Sequence, residues 1–493
     1  MTRDTTEGLL SPSTKALTIG LVMVVTLIAF EALAVQTSLP VAEKHLGDLS
    51  IYGWTFSGFT LATLIGIACI GQLSEKLGTY RPMLIGIILF GVGLALAGSA
   101  GSMPVLVVAR IIQGVGGGAI NAVGYYSVAR AYGDEIRPKM MATLTSAWIL
   151  PSLIGPYLAG YIAQTFSWRY TFLGVLPVAI VTAFVVLPAL SKVDRDRLPS
   201  THLAHERTSN NFQSTPRPDL ETVVLISPNS HQLIWSPLFL FVGVAAVLVG
   251  SSAKNLFGMA AISGVGIVVV GLALRWLLPP GVLGKSPGLL GALLVKFLTF
   301  LSFIGVEALL PYTLVAIRHK SPSYAGLVLT VSALSWAGAA WFQTRYLAKY
   351  GYRISVSLGL ALIALGDLGV AALLSNSVPT EVAFLAWLIA GVGIGFAYPT
   401  TALAGIQACS QSSPASGISA MQICEVIGGA LAAGLGGSAL SWTTYLRDGP
   451  RPALLANDIL GILAALTCSF VAFMLPSVTT SSSADANYPG VDR

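Results

Sequence analysis

Charge is what this sequence is short of. Asp, Glu, Lys and Arg together make up only 10% of its 493 residues, and the mean hydropathy is +0.77. A water-soluble chain of this length needs far more charge to cover its surface, so a soluble globular protein is excluded. Histidine is scarce as well: His45, His202, His205, His231 and His319 are scattered through loops, with no metal-ligand spacing and no catalytic dyad. Of the four cysteines, Cys69, Cys424 and Cys468 lie in apolar runs and Cys409 near the end of one. None has redox or metal spacing, so free thiols, no metal and no disulfide are expected. A Gly-rich phosphate loop ending in Gly-Lys-Ser/Thr is missing, which counts against an ATP-driven pump and leaves nothing that argues for an enzyme. The N-terminal stretch MTRDTTEGLLSPSTK is polar for too long to be a signal peptide. The net charge of +6 falls mostly in loops on one side, so it does not point to nucleic acid.

What the chain has instead is apolar runs of about 20 residues, each long enough to cross a ~30 Å hydrocarbon core as a helix. Strictly alternating short segments, the mark of an outer-membrane barrel, are not the pattern. The runs predict an all-α polytopic membrane protein with fourteen spans, of which 236–252 and 256–279 are the weakest. Lys and Arg concentrate in loops on the side of the N-terminus, which places both termini in the cytoplasm of a multi-pass plasma-membrane protein. The expected organisation is a cytoplasmic N-terminus (1–15), a six-helix bundle (16–190) and a polar linker (191–235). Two inserted helices (236–279), a second six-helix bundle (287–475) and a disordered cytoplasmic tail (476–493) follow. The linker is rich in Ser, Thr, Asn and Pro and has no core of its own. The inserted helices carry Lys254 and Arg275 only at their ends, and are expected to pack outside the bundles.

One stretch, Leu106 to Gly160, combines features that a passive span does not need. Arg110 sits in an apolar run, and charge in hydrocarbon is a functional signal by default. Gly114, Gly116, Gly117 and Gly118 follow, and small residues let helices approach closely. The next apolar run is interrupted by Pro151 and by Gly155-Pro156, whose freed backbone groups neighbours must satisfy.

The two halves repeat. Phe30-Glu31-Ala32-Leu33 returns as Val306-Glu307-Ala308-Leu309, offset by 276. The turn at Gly78 and Arg81 returns at Gly351 and Arg353, and Gly114-Val115-Gly116 returns as Gly391-Val392-Gly393, offset by 277. Three matches in order at a nearly constant offset pair the two bundles and leave the central helices as an insertion. Parallel repeats of this kind place a substrate site between the halves near mid-membrane.

The motifs resemble those of the major facilitator superfamily. GQLSEKLGTYRP is similar to its cytoplasmic loop motif at Gly71, Leu73 and Gly78, with Glu75 for an Asp, Lys76 for an Arg and Arg81 displaced by one. LVVARIIQG resembles its fourth-span pattern at Leu106, Arg110, Gln113 and Gly114. ILPSLIGPYLAG is similar to its antiporter motif at Gly155, Pro156 and Gly160, with Pro151 where a glycine is often found. Fourteen spans point to the drug:proton antiporter branch. The resemblance implies proton-coupled export of hydrophobic or cationic small molecules by alternating access. It implies protons, a small-molecule substrate and the bilayer as partners, the proton gradient in place of a cofactor, and a monomer. The alternatives are a dedicated exporter of one native lipid, siderophore or metabolite, and a non-transporting receptor or scaffold.

Candidate proton-coupling residues are Glu31 and its repeat mate Glu307, Glu425 and Arg110, because a carboxylate deprived of water is suited to loading and releasing protons. Asp367 reads better as a tie between helices, and Lys296 as a side chain that snorkels to the inner interface. Gln36, Gln113, Tyr125, Tyr126, Trp148, Tyr312, Trp387 and Gln422 are candidates for lining the path.

Overall fold

A backbone amide in hydrocarbon has no water to bond, so each apolar run must close its hydrogen bonds internally as a helix. The computed structural model describes residues 9, 11, 14–133, 135–195, 230–253, 255–278, 287–408, 414–443 and 449–475, and helices occupy all fourteen expected positions. In the first half these are α1 (Lys15–Leu46), α2 (Leu49–Ile70), α3 (Tyr80–Ser99), α4 (Met103–Ala131), α5 (Ile149–Thr165) and α6 (Tyr170–Arg195). Helices α7 (Ser230–Ser251) and α8 (Leu256–Leu277) come next. The second half comprises α9 (Pro287–Ile317), α10 (Pro322–Leu347), α11 (Tyr352–Ala372), α12 (Val382–Ala408), α13 (Pro414–Thr443) and α14 (Arg451–Met474). Among the described residues, twelve helices are long and apolar enough to cross a membrane. The other two positions are the apolar part of α7, Trp235–Ser251, and α5, where the backbone turns at Ala147-Trp148 and splits off a short helix, Arg137–Ser146.

The packing follows the internal repeat. In the first half α1 packs on α5 and α6, α4 on α2 and α3, and α3 on α6. In the second half α9 packs on α13 and α14, α12 on α10 and α11, and α11 on α14. Each pair is its counterpart moved on by eight helices. Glycines set the spacing: a Cβ at Gly114 or Gly118 would strike α2, and one at Gly116 would strike α3. Gly391 and Gly395 stand against α10 and Gly393 against α11 in the same alternation. Both α2 and α10 finish in a π-helical turn, Gly66–Ile70 and Gln343–Leu347, a feature with no sequence signal.

The halves meet through the same two symmetric contacts, α2 with α13 and α5 with α10. Gly53 backs onto Ala433 and Gly437, while Gly160 backs onto Pro322 and Gly326 onto Pro156. Ser57 Oγ donates to the Ala430 carbonyl at 2.6 Å, and Ser323 Oγ to Gln164 Oε1 at 3.0 Å. These contacts gather at one end of the helices, where α2 begins and α5 finishes. Tyr52 and Tyr312 close the same end edge to face, with ring centroids 5.4 Å apart.

The loop motif turns at Gly78 and is fastened from α6. Gly78 has φ +77°, a backbone that favours glycine. Asp194, inside the expected linker, then caps the start of α3: its carboxylate accepts from Thr79 N at 2.8 Å, Thr79 Oγ1 at 3.0 Å and Tyr80 N at 2.9 Å. The equivalent turn at Gly351 (φ +84°) is tied to the end of α14 by Arg353 Nε, which donates to the Leu475 carbonyl at 2.9 Å. The linker boundaries therefore shift, with α6 helical to Arg195 and α7 from Ser230. Residues 196–229, the tail 476–493, Cys409 and the side chains of Glu75 and Lys76 lie outside the described residues.

Helices α7 and α8 pack on each other, and α7 lies against α2 and α13 through Leu61, Leu240, Val244, Leu248 and Ile427. Trp442 Nε1 donates to the Ser251 carbonyl at 3.0 Å, fastening α7 to α13. The far face of α8 exposes Val265, Ile267, Val268 and Leu272, an apolar surface suited to lipid.

Candidate functional site: buried charge in the helical interior

Three polar clusters are built into the helical interior. The first belongs to α1, α2 and α4. Glu31 is fully buried and Arg110 is 2% exposed, so this guanidinium does not snorkel. Arg110 Nη1 donates to Glu31 and, at 2.7 Å, to Gln113 Oε1, while its Nε donates to the Thr55 carbonyl at 3.1 Å. The guanidinium also lies 4.1 Å from the centroid of the Phe59 ring. A planar fork can meet a carboxylate, an amide, a backbone carbonyl and a ring face at once; an ammonium cannot. The structure thus brings Glu31, Arg110 and Gln113 together, with Gln113 packed against Arg110 and fully buried.

The repeat does not reproduce this cluster. At the offset of 277, Arg110 corresponds to Trp387. Trp387 is fully buried in the core of the second half and stacks on Phe303 with centroids 5.1 Å apart. The expectation that it lines the path is therefore corrected: an indole in the place of the guanidinium fills space that its mate uses for pairing. Glu307, the mate of Glu31, has no cation partner among the described residues and lies near the Gln36 side chain across the seam.

The second cluster corrects a different expectation. Lys296 does not snorkel: it is 4% exposed, with Nζ 3.5 Å from Glu425 Oε2 and 3.2 Å from the centroid of the Tyr398 ring. The Tyr398 side chain lies beside the same carboxylate, and the Phe300 and Trp336 rings stand 5.8 and 5.7 Å from the Tyr398 ring, centroid to centroid. Tyr125 on α4 approaches Tyr398 from the other half. Glu425 is 24% exposed, the more open member of the pair. Snorkelling was the natural reading of a lysine near a helix start, because no carboxylate is close in sequence; the partner lies 129 positions away.

The third cluster lies between α9, α11 and α14. Ser302 Oγ donates to Asp367 Oδ2 at 2.9 Å, a tie between α9 and α11. Asp458, which the sequence reading passed over, approaches Asp367 and accepts from Asn457 Nδ2 at 3.5 Å. Asn457 Nδ2 also donates to the Gly305 carbonyl at 3.1 Å. Neither Asp367 Oδ1 nor Asp458 Oδ2 has a donor among the described residues. An acid within the apolar run of α14 was the available signal, the same one that singled out Asp367.

The remaining candidates divide by position. Tyr312 is 5% exposed and seals the closed end with Tyr52. Trp148 is exposed at the break before α5, Gln422 is exposed on α13, and Tyr126 lies under the Arg130 guanidinium at 5.5 Å. Gly155 packs on Phe30 of α1, whereas Pro156 and Gly160 face α10. Pro151 is buried near the start of α5, and Gly71 packs on Ala122 of α4. A groove of 710 Å³ between α3 and α6, lined by Leu84, Ile88, Val92, Ile180 and Phe184, is apolar and lies apart from all three clusters. It suits an acyl chain better than a polar ligand.

Two six-helix halves with an internal repeat and charge buried in their helical interiors define a membrane transporter fold. The family model of the Major Facilitator Superfamily matches residues 19–433, and this chain belongs to that family. Multidrug resistance protein 3 of Bacillus subtilis is 30% identical over 175 residues, which are 36% of this chain and 34% of that protein. The chain thus spans about a third of that relative's length. The multidrug transporter protein MdtP of the same organism is 23% identical over 86% of this chain and 74% of its own. Among solved structures, an auto-inhibited peptide transporter of the POT family superposes with TM-score 0.62 at 12% identity, over 94% of this chain and 98% of its own. That likeness concerns the fold.

Proposed function

We propose that this chain exports hydrophobic or cationic small molecules in exchange for protons, by alternating access between its two halves. The observation that carries the reading is the burial of ionisable side chains in the helical interior: Glu307 near Gln36 of the other half, Glu425 with Lys296, and Glu31 with Arg110. Structural ties between helices need no charge, and burying it is costly. The relatives named for multidrug transport support the substrate class. With both termini cytoplasmic in a plasma membrane, the joined end faces outward and the seam opens to the cytoplasm.

A carboxylate that accepts either a proton or a cation makes the two competitors, which is exchange in its simplest form. Protonation from outside and release inside would leave Glu31, Glu307 or Glu425 ready for a cationic ligand. The gradient supplies the free energy, so no cofactor is required, and one chain contains both halves of the machine. Dye uptake into inverted vesicles tests this directly. Uptake should require an acidic interior and collapse with a protonophore; uptake that ignores the gradient but needs ATP would refute it.

A further inference from the structure

Lys296 occupies a position that simple neutralisation of Glu425 does not explain. Replacing a buried ion pair by well-packed neutral side chains is often neutral or stabilising, so a lysine here invites a role. Its surroundings are those of a ligand site. The ammonium sits on the face of Tyr398, Phe300 and Trp336 stand around that ring, and Glu425 closes the remaining side. An aromatic enclosure with one carboxylate is the chemistry that recognises organic ammonium and phosphonium groups.

We propose that Glu425, Tyr398, Phe300 and Trp336 form an organic-cation subsite whose resident occupant is the chain's own Lys296 ammonium, so that a cationic substrate binds by displacing it. Two observations set the polarity of the site. Ring faces carry the negative lobe of the aromatic quadrupole, so an anion brought to Lys296 would lie against repelling surfaces. Glu425 is also the more open partner, 24% exposed against 4% for Lys296, and an entering ligand meets the carboxylate before the ammonium. Lys296 then acts as a tethered competitor: it keeps Glu425 paired while the site is empty and sets a threshold that weak cations do not pass. The inference rests on the exporter reading for its route, but the binding step needs no proton gradient.

Equilibrium binding to the purified full-length chain in detergent tests it with a matched pair of probes, tetraphenylphosphonium and tetraphenylborate. They share a shape and differ in the sign of their charge. Lys296→Met should tighten tetraphenylphosphonium binding by about tenfold, equivalent to ~1.4 kcal/mol of competition removed, and leave tetraphenylborate unchanged. Tetraphenylphosphonium affinity that is unchanged or weaker in Lys296→Met overturns the proposal, as does selective loss of tetraphenylborate, which would make Lys296 an anion receptor. Lys296→Met leaves Glu425 unpaired, so two further variants guard against misfolding. The double variant Lys296→Met/Glu425→Gln carries no unpaired buried charge, and Tyr398→Leu keeps the ion pair; each should bind tetraphenylphosphonium more weakly than the wild type. Wild-type affinity in both would refute the subsite. Vesicle assays separate this from the exporter reading. Transport independent of protons, with the predicted binding pattern intact, overturns antiport alone. Proton-driven export with wild-type tetraphenylphosphonium affinity in Lys296→Met overturns the subsite alone.

Discussion

At the scale of single residues, Arg110 shows how much one side chain can be asked to hold. It meets Glu31, Gln113, the Thr55 carbonyl and the Phe59 ring together. Arg110→Lys keeps the charge but loses the fork, forfeiting at least one bond worth about 1.5–3 kcal/mol. Proton-driven uptake into inverted vesicles should fall to background in this variant while its membrane content stays normal. Glu31→Gln should still bind neutral ligands yet abolish uphill transport; wild-type rates would remove Glu31 from coupling and leave Glu307 and Glu425. Asp194 makes the opposite kind of contribution, at a surface and to stability. It receives three donors at the start of α3, so Asp194→Ala should cost about 1–2 kcal/mol, the usual worth of a helix cap. Thermal unfolding in detergent reads that loss, and Asp194→Asn should recover part of it.

At the scale of elements, α5 and α10 meet backbone to backbone because Gly160 and Gly326 carry no side chains where they touch Pro322 and Pro156. The antiporter-like motif thus serves as a contact surface between the halves as well as a bend. Gly326→Val puts two methyl groups into that contact and should hold this end apart. Tyr312, buried behind the same closure, then becomes the reporter. A cysteine replacing Tyr312 should react with an impermeant thiol reagent on intact cells in the Gly326→Val background and resist it otherwise. Equal reactivity in both backgrounds would mean that this contact does not control closure.

At the scale of the whole molecule, the packing of each half is its partner's moved on by eight helices, and α7 and α8 stand outside that scheme against α2 and α13. α7 therefore covers the α2–α13 contact between the halves, and the inserted pair is expected to contribute little to the path itself. Cysteines placed one at a time along 236–252 should resist water-soluble thiol reagents on every face. A stripe of reactive positions would instead put α7 on the path.

Helix positions, the two-half plan and the chain's place in its family were legible in the sequence, because the physics behind them is local. A run of apolar residues fixes a helix wherever water is excluded, and the repeat is written in residues at matching offsets, such as Gly114 with Gly391. Arg110 and Glu31 were likewise visible as charges where none is comfortable. Partnership was not visible, because it depends on which helices become neighbours. Lys296 finds Glu425 129 positions away, and Trp387, at the repeat position of Arg110, stacks on Phe303 instead of taking part in an ion pair. Asp194 was assigned to a linker, yet the extension of α6 carries it to the Thr79 turn. Such pairings are decided by tertiary packing, since a buried charge takes whichever partner the packed helices bring within a few ångströms.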